Sequence, residues 1–289
     1  MTIEPPSDLS ARGVVGDEAP ASRRARIDRE YDNSAAFRDV PSWREKWRDR
    51  SEAISRRSID RLDIPYGRGS LQKIDVFPYG SASAPTVVFI HGGFWIRNSK
   101  ETFRFLVRGI HAAGCNAAFL GYTLAPNARM DEIVAEVRLG GRWLFFSLAE
   151  LGLASRPLVA VGWSAGAQLA AMIMDEPHIA CGMGISGIYD LRPMREASLN
   201  DALRLSEDEA VRNSPALNPV RSSKQFVVVY GARELPAFKA QSEDFYTALI
   251  SVGSAAVKVV LPDHTHHSEL DELFTPDGRL VKETARLAW

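Results

Sequence analysis

Several large classes of protein are excluded by what the 289-residue sequence lacks. No apolar run reaches the roughly 20 residues that a membrane-spanning helix needs, and the N-terminus has no apolar stretch of the kind that secretory signals carry. The formal net charge is only −1, which argues against a nucleic-acid partner or an anionic membrane surface. We therefore predict a cytoplasmic protein with no nucleic-acid or membrane partner.

Cysteine is also scarce in this chain. The two cysteines, Cys115 and Cys181, both lie in apolar, strand-like segments. In such surroundings a buried, unreactive thiol is far more common than a disulfide or a nucleophile. The sequence therefore predicts two buried thiols, in agreement with a reducing compartment.

The remaining composition is that of a globular protein, with 45% apolar and 25% charged residues. Residues 1–26 are rich in proline, serine, alanine and charge without periodicity, which predicts a flexible N-terminal arm. Residues 27–289 are predicted to form a single domain. Within it we expect an N-terminal helical segment at 27–57 and a small cap or loop insertion at roughly 188–220.

The helical segment at 27–57 places Trp43, Trp47 and Ile54 on roughly one face. Such an aromatic stripe is more typical of a packing surface, or of a lid over the main domain, than of a ligand site. A lid and an interface between copies both fit the pattern, so a homodimer stays open.

Short apolar runs then alternate with helical patterns to the end of the chain. A hairpin is predicted over 61–77, and the runs at 86–90 and 226–230 are typical of strands buried on both faces. Helical patterns include those at 100–113 and 131–151. The alternation predicts an α/β fold with a mostly parallel central sheet, helices on both faces and a ligand site at the carboxyl ends of the strands.

The most informative stretch spans residues 158–171. It begins as an apolar strand, is broken at GWSAG (162–166), and continues as an alanine-rich helix. A strand, a G-x-S-x-G turn and a helix in this order form the nucleophile elbow of α/β-hydrolases. Glycines flank the serine because the turn leaves no space for side chains two residues away. Ser164 is therefore the predicted nucleophile; the alternative is a tight turn whose serine has no chemical role.

A second glycine-containing motif, HGGF at residues 91–94, directly follows an apolar run. Glycines there allow backbone N–H groups to approach a substrate oxygen, as in the HGGG loop of lipases and esterases. We predict that the N–H groups of Gly93, Phe94 and Ala165 form an oxyanion hole, and that His91 orients the loop. The alternative is an ordinary glycine turn.

Hydrolases of this fold carry an acidic residue and then a histidine after the serine. Glu234 follows the strand predicted at 226–230, which is where the acid that orients the histidine is expected. Asp190 and Asp263 compete for this role. Asp190 comes before the usual position of the acid in this fold, and Asp263 lies very close to the histidines. Glu234 is the predicted acid.

The candidate histidines form the cluster DHTHH at residues 263–267, directly after the last predicted strand. A general base belongs at this place, and His264 and His266 are both candidates. The histidines also suggest a metal site, but they lie on one short loop, no carboxylate has a matching spacing, and the chain lacks an H-E-x-x-H motif. We predict no metal and no cofactor.

From about Glu30 to its C-terminus, the chain resembles the kynurenine formamidase-like (arylformamidase-like) branch of the α/β-hydrolases. The matching motifs are YDN at 31–33, HGGFW at 91–95, GYTLAP at 121–126, GWSAGAQLA at 162–170, SGIYDL at 186–191, SP at 214–215 and ARELPAFKAQS at 232–242. The resemblance implies hydrolysis of a small N-formyl or aryl amide, or of an ester, by a cofactor-free serine mechanism.

The resemblance also selects His266 as the base, so the implied triad is Ser164, His266 and Glu234. Two positions depart from the family pattern. Glu234 stands where most relatives are expected to have aspartate, and His267 stands where they commonly have phenylalanine. Both departures leave the mechanism in place and leave the substrate open.

The candidate aromatic residues for a pocket around a flat acyl or aryl group are Phe94, Trp95, Trp163 and Tyr189. Core packing around the elbow is the alternative for each of them. Arg97 and Arg192 are candidates to pair with a substrate carboxylate, or are ordinary surface arginines.

The leading hypothesis is a serine hydrolase of a small aryl amide or formamide. An esterase of small aryl or alkyl esters, or an amidase of an enamide-type ring-cleavage product, would use the same residues. A catalytically silent hydrolase that serves as a binding protein is the third hypothesis. The presence of every triad residue in the expected order weighs against it.

Overall fold

The structure is a computed structural model that describes residues 19–55 and 61–289. The strands are β1 (Ile64–Pro65), β2 (Lys73–Phe77), β3 (Thr86–Ile90), β4 (Asn116–Leu120), β5 (Leu158–Trp163), β6 (Ile179–Ile185), β7 (Phe226–Gly231) and β8 (Ala256–Leu261). Within the described residues they form one eight-stranded sheet in the order β1-β2-β4-β3-β5-β6-β7-β8.

Most of this sheet is parallel. β2 runs antiparallel to its neighbours β1 and β4, whereas β4, β3, β5, β6, β7 and β8 run parallel to one another. Ile90 at the end of β3 pairs with Leu120 of β4 and with Gly162 of β5. The parallel strands therefore end along one edge of the sheet, and the loops that follow them meet there.

Helices cover both faces of the sheet, as predicted. Their bounds are α1 (Pro20–Tyr31), α2 (Asn33–Ala36), α3 (Val40–Ser55), α4 (Val107–Ala112), α5 (Met130–Ser147), α6 (Ala165–Met172), α7 (Arg192–Glu196), α8 (Asn200–Leu203), α9 (Glu207–Arg212), α10 (Pro236–Ser251), α11 (Asp271–Phe274) and α12 (Arg279–Ala288), with 3-10 helices at Lys100–Leu106 and Ser268–Leu270. Alternate residues of β3 enter different cores: Val88 and Ile90 on one face, Val87 and Phe89 on the other. The predicted α/β fold is confirmed.

The N-terminal boundary differs from the prediction. α1 begins at Pro20, so residues 20–26 are helical and do not belong to a flexible arm, while residues 1–18 lie outside the described part of the chain. Proline is favoured in the first turn of a helix, where no N–H is needed. The buried residues of α1 are Ile27 and Tyr31, so its first turns have no apolar pattern that would reveal a helix.

Other elements follow the predicted order with shorter bounds. The helix predicted at 100–113 is a 3-10 helix that continues as α4, and α5 ends at Ser147 rather than near 151. The predicted insertion at 188–220 contains the short helices α7, α8 and α9. Cys115 and Cys181 are buried free thiols, as predicted. Among the described helices, none is both long and apolar enough to cross a membrane.

Candidate active site

The G-x-S-x-G turn joins the end of β5 to the start of α6. Ser164 has φ 56° and ψ −123°, a conformation that a residue other than glycine adopts only when its surroundings impose it. A Cβ on Gly162 would lie 2.0 Å from the carbonyl oxygen of Gly166, and a Cβ on Gly166 would lie 2.0 Å from that of Ile90. Close packing therefore requires both glycines and holds Ser164 at the N-terminus of α6.

Three predicted residues form a continuous hydrogen-bonded series. Nε2 of His266 lies 3.1 Å from Oγ of Ser164, and Nδ1 of His266 lies 2.6 Å from Oε1 of Glu234. All three side chains are buried, and they come from the loops that follow β5, β8 and β7. The rings of Trp163 and Phe238 lie 4.8 Å and 4.4 Å from the imidazole, so packing also fixes its orientation.

The competing candidates lie elsewhere. Nε2 of His264 is 3.2 Å from a carboxylate oxygen of Glu272. The carboxylate of Asp190 accepts bidentate hydrogen bonds from the guanidinium of Arg192, and Asp263 is exposed. His266 and Glu234 therefore form the series with Ser164, and the competing residues do not take part in it.

Burial shifts the pKa values of both His266 and Glu234. Burial, and then the positive charge of Arg97, lower the pKa of His266 to about 3, so the resting imidazole is neutral. Burial raises the pKa of Glu234 to about 8. Once Glu234 has lost its proton, Nδ1–H of His266 donates to the carboxylate and Nε2 is left to accept a proton from Ser164.

A second buried carboxyl group, which sequence analysis missed, lies beside this series. Oε1 of Glu269 is 3.9 Å from Nδ1 of His266 and accepts a hydrogen bond from the indole N–H of Trp163 at 3.2 Å. Its Oε2 accepts a hydrogen bond from Ser186 at 2.7 Å. Burial, and then the negative charge of Glu234, raise the pKa of Glu269 well above its ordinary value, so Glu269 holds its proton more firmly than an exposed glutamate does.

Glu234, His266 and Glu269 together offer ligand atoms within 4.8 Å of one another, which is close enough to bind a metal ion. However, both ring nitrogens of His266 already make contacts of hydrogen-bond length with Ser164 and Glu234. The donor set is therefore better suited to orienting His266 beside Ser164 than to binding a cation.

The HGGF loop packs directly on the elbow. A Cβ on Gly92 would lie 2.5 Å from the carbonyl oxygen of Trp163. Gly93 and Phe94 have φ values of 124° and 54°, so the loop turns sharply here. Within the described residues, the N–H groups of Gly93, Phe94 and Ala165 donate to no other group of the chain. Gly93 and Phe94 line the same cavity as Ser164, and Ala165 follows it in the chain, so these free donors are near the serine, where an oxyanion hole is expected.

His91 holds this loop in place, and does not face Ser164. Its Nδ1 donates to the carbonyl oxygen of Gly92 at 2.9 Å, and its ring stacks on Tyr122 at 4.4 Å. Burial lowers the pKa of His91 to about 4, so the ring is neutral.

Comparisons with known proteins agree with this geometry. The alpha/beta hydrolase fold family matches residues 87–269. A kynurenine formamidase from Salmo salar is 34% identical over 239 residues, which cover 76% of this chain and 79% of that protein. The chain belongs to the kynurenine formamidase-like branch of the α/β-hydrolases.

More distant relatives of this hydrolase include esterases. Esterase LipQ of Mycobacterium tuberculosis is 24% identical over 254 residues, covering 76% of this chain and 60% of that protein. Among solved structures, a proposed thioesterase from Silicibacter sp. superposes with a TM-score of 0.79 at 27% identity, covering 89% of this chain and 97% of the other. The protein is therefore an α/β-hydrolase that acts on small amide or ester substrates.

The cavity of this hydrolase above Ser164 differs from the predicted pocket. Phe94 and Trp163 line it, but Trp95 and Tyr189 do not. The indole of Trp95 is fully buried and donates to Gln168 at 3.1 Å. The ring of Tyr189 stacks at 4.2 Å on Phe245 of α10. Both predictions were wrong because neighbours along the chain point to different sides of the loops that carry them.

The N-terminal segment of the hydrolase supplies the other side of the cavity. Its residues in the lining are Tyr31, Asp32, Asn33, Ser34, Arg44 and Trp47. Trp47 stacks on His267 at 5.5 Å and meets Trp163 edge-on at 5.4 Å, so this residue of the aromatic stripe packs against the domain and also lines the site. We call this set, together with Arg97 at the end of the HGGF loop, the N-terminal wall.

Proposed function

We propose that this hydrolase cleaves a small aryl amide, above all an N-formyl amide, through a Ser–His–Glu triad and an acyl-enzyme. The observation that carries the proposal is the hydrogen-bonded series from Ser164 through His266 to Glu234, with separations of 3.1 Å and 2.6 Å. Those separations suit a nucleophile, a general base and an orienting acid.

In the first half of the reaction, Oγ of Ser164 attacks the carbonyl carbon while its proton passes to Nε2 of His266. The carbonyl oxygen takes up the negative charge and accepts hydrogen bonds from the N–H groups of Gly93, Phe94 and Ala165. The C–N bond then breaks as His266 gives the proton to the leaving nitrogen. The amine departs, and the acyl group remains on Ser164 as an ester.

In the second half, water attacks the ester carbon and its proton passes to Nε2 of His266. The bond between the acyl carbon and Oγ breaks, and His266 returns the proton to Ser164. A formyl group leaves as formate. Throughout, ionised Glu234 accepts the hydrogen bond from Nδ1–H and stabilises the imidazolium whenever it forms.

Two observations support an aryl amide as the substrate. The Salmo salar relative is a kynurenine formamidase at 34% identity, and the rings of Phe94 and Trp163 line the cavity, where they suit a flat aryl group. A carboxylesterase is the second candidate. LipQ is an esterase, and the same residues would cleave an ester C–O bond in the same way.

The two candidates are separated by the ratio of kcat/KM for N-formylkynurenine to that for 4-nitrophenyl acetate. We expect a ratio well above one, and a ratio far below one would identify an esterase with the same serine mechanism. Purified protein should also form a fluorophosphonate adduct on Ser164. The absence of an adduct would contradict the serine mechanism and favour a catalytically silent binding protein.

A further inference from the structure

The N-terminal wall contains buried polar groups that no group of the described chain satisfies. Asn33 is 5% exposed and lines the cavity above Ser164. Among residues 19–55 and 61–289, neither its Oδ1 nor its Nδ2 has a hydrogen-bond partner, and the indole N–H of Trp47 has none either. An unpaired buried amide is costly to a fold, and it persists where a ligand completes its hydrogen bonds.

Two arginines share the cavity with this amide. Arg44 and Arg97 line the same cavity, and within the described residues neither forms an ion pair with a carboxylate. Arg44 makes a 3.4 Å contact with the hydroxyl of Ser34, and Arg97 lies 5.2 Å from the ring centre of Phe94. Partial burial, and then the charge of Arg44, lower the pKa of Arg97, while the charge of Asp32 opposes them. The two positive charges therefore act on each other across this cavity.

A carboxylate that lines the same cavity already has a role in the fold. Asp32 is the one acidic residue among the described residues of the lining. Its Oδ1 accepts hydrogen bonds from the N–H groups of Ser34 and Ala35 and so caps α2. Two cations and one anion leave the wall with a net positive charge opposite Ser164.

We propose that Asn33, Arg44 and Arg97 form a subsite that binds a carboxylate of the substrate while Ser164 attacks its amide or ester carbonyl. The proposal rests on the proposed function, since it assigns the substrate class of the same cavity. The donors suit this group. A carboxylate has only acceptor atoms, and a planar guanidinium matches it with two parallel N–H groups.

The test uses two pairs of substrates, each pair matched in shape and differing in charge, and the pairs place the carboxylate at opposite ends of the substrate. One pair, 4-nitrophenyl pentanoate and the monoester of 4-nitrophenol with glutarate, places the charge in the acyl part. The other pair, 4-acetoxybenzamide and 4-acetoxybenzoate, places it in the leaving group. The readout is the ratio of kcat/KM for the charged member to kcat/KM for the neutral member.

In at least one pair, the wild-type ratio should exceed one, and Arg97→Gln should lower that ratio by about 10- to 100-fold, the effect of losing a charged hydrogen bond. Arg97→Lys should restore part of it, since the charge remains but the two-pronged geometry is lost. Arg192→Gln is the matched control because Arg192 is exposed and paired with Asp190 outside the cavity; its ratio should equal that of wild type.

The subsite is refuted if the ratio for wild type is below one in both pairs, or if the ratio for Arg97→Gln equals that of wild type. Failure of the proposed function looks different, because Ser164→Ala would then turn over both members of a pair. Calorimetric titration with benzoate and with its neutral analogue benzamide tests carboxylate binding directly, without any turnover. Wild type should bind benzoate more tightly than benzamide, and equal binding would refute a carboxylate subsite.

Discussion

The two sides of the cavity satisfy their polar groups in opposite ways. On the side formed by the sheet, Ser164, His266 and Glu234 are hydrogen bonded to one another. On the N-terminal wall, Asn33 has no partner, and Arg97 has no ion pair within the described residues. Residues that are hydrogen bonded to one another can act on any substrate that reaches them. Polar groups without a partner in the protein can instead bind a group of the substrate, and so can select among substrates.

This contrast predicts different consequences of mutation. Changes on the sheet side should reduce turnover of every substrate by a similar factor, because the reacting atoms are common to all of them. Changes on the N-terminal wall should alter the ranking of substrates. The experiments below test the contrast in order of decreasing expected effect.

Ser164→Ala should have the largest effect. Removing the nucleophile should lower kcat by at least about 10⁴-fold for amide and ester substrates alike. Ser251→Ala is a suitable control, because Ser251 is exposed at the end of α10 and its replacement should leave kcat unchanged. Steady-state kinetics with one amide and one ester would reveal a substrate that escapes the loss, which would contradict a common nucleophile.

Glu234→Gln should lower kcat by about 10²- to 10⁴-fold, because an amide in place of the carboxylate favours the wrong imidazole tautomer. Since burial raises the pKa of Glu234 to about 8, wild-type kcat/KM should rise as the pH approaches that value and level off above it. The variant should lack this rise. If Asp190→Asn or Asp263→Asn abolishes activity while Glu234→Gln stays within a few-fold of wild type, the assigned acid is wrong.

Glu269→Gln should change how stability depends on pH. The pKa of Glu269 is raised in the folded state, so its contribution is fully present below its unfolded pKa and is lost as the pH rises. As the pH rises above the unfolded pKa of a glutamate, the free energy of unfolding of wild type should fall relative to that of the variant, by at most about 1.4 kcal/mol per pH unit. Urea denaturation at three pH values measures this slope, and parallel curves would mean that Glu269 is ionised in the fold.

Asn33→Leu should have the smallest effect of these variants. It should change stability and substrate selectivity in opposite directions. Removing an unpaired buried amide should leave the free energy of unfolding unchanged or raise it by up to about 1 kcal/mol. The preference for carboxylate-bearing substrates should fall at the same time. A variant that is clearly less stable than wild type in denaturation would show that Asn33 is satisfied within the fold.

The residues of the proposed triad could be placed near one another from the sequence because each follows a strand of the same sheet. The apolar runs indicate where the strands end, and parallel strands end along one edge, so Ser164, Glu234 and the histidine cluster at 263–267 are expected to meet there. The choice of His266 over His264 comes from the family resemblance. The glycines around Ser164 marked the tight turn for the same reason that the structure requires them, which is the absence of space for a Cβ.

The rest of the site could not be predicted because it depends on contacts between distant segments. Nothing in the sequence near Glu269 distinguishes it from the acids that follow it, and only burial against Trp163 and Ser186 does so. Trp95 and Tyr189 were assigned to the pocket by their closeness to motifs, which does not indicate the direction of a side chain. Asn33 reaches Ser164 only through the packing of the N-terminal segment.

The stacking of Trp47 on His267 and its edge-on contact with Trp163 also bear on how the molecule is made. These rings come from the beginning, the middle and nearly the end of the chain, so a ribosome releases the first of them long before the last. Contacts across such separations form late, because closing the intervening loop costs entropy before any contact is gained. A growing chain would therefore carry Ser164 for some time before its cavity could close over it.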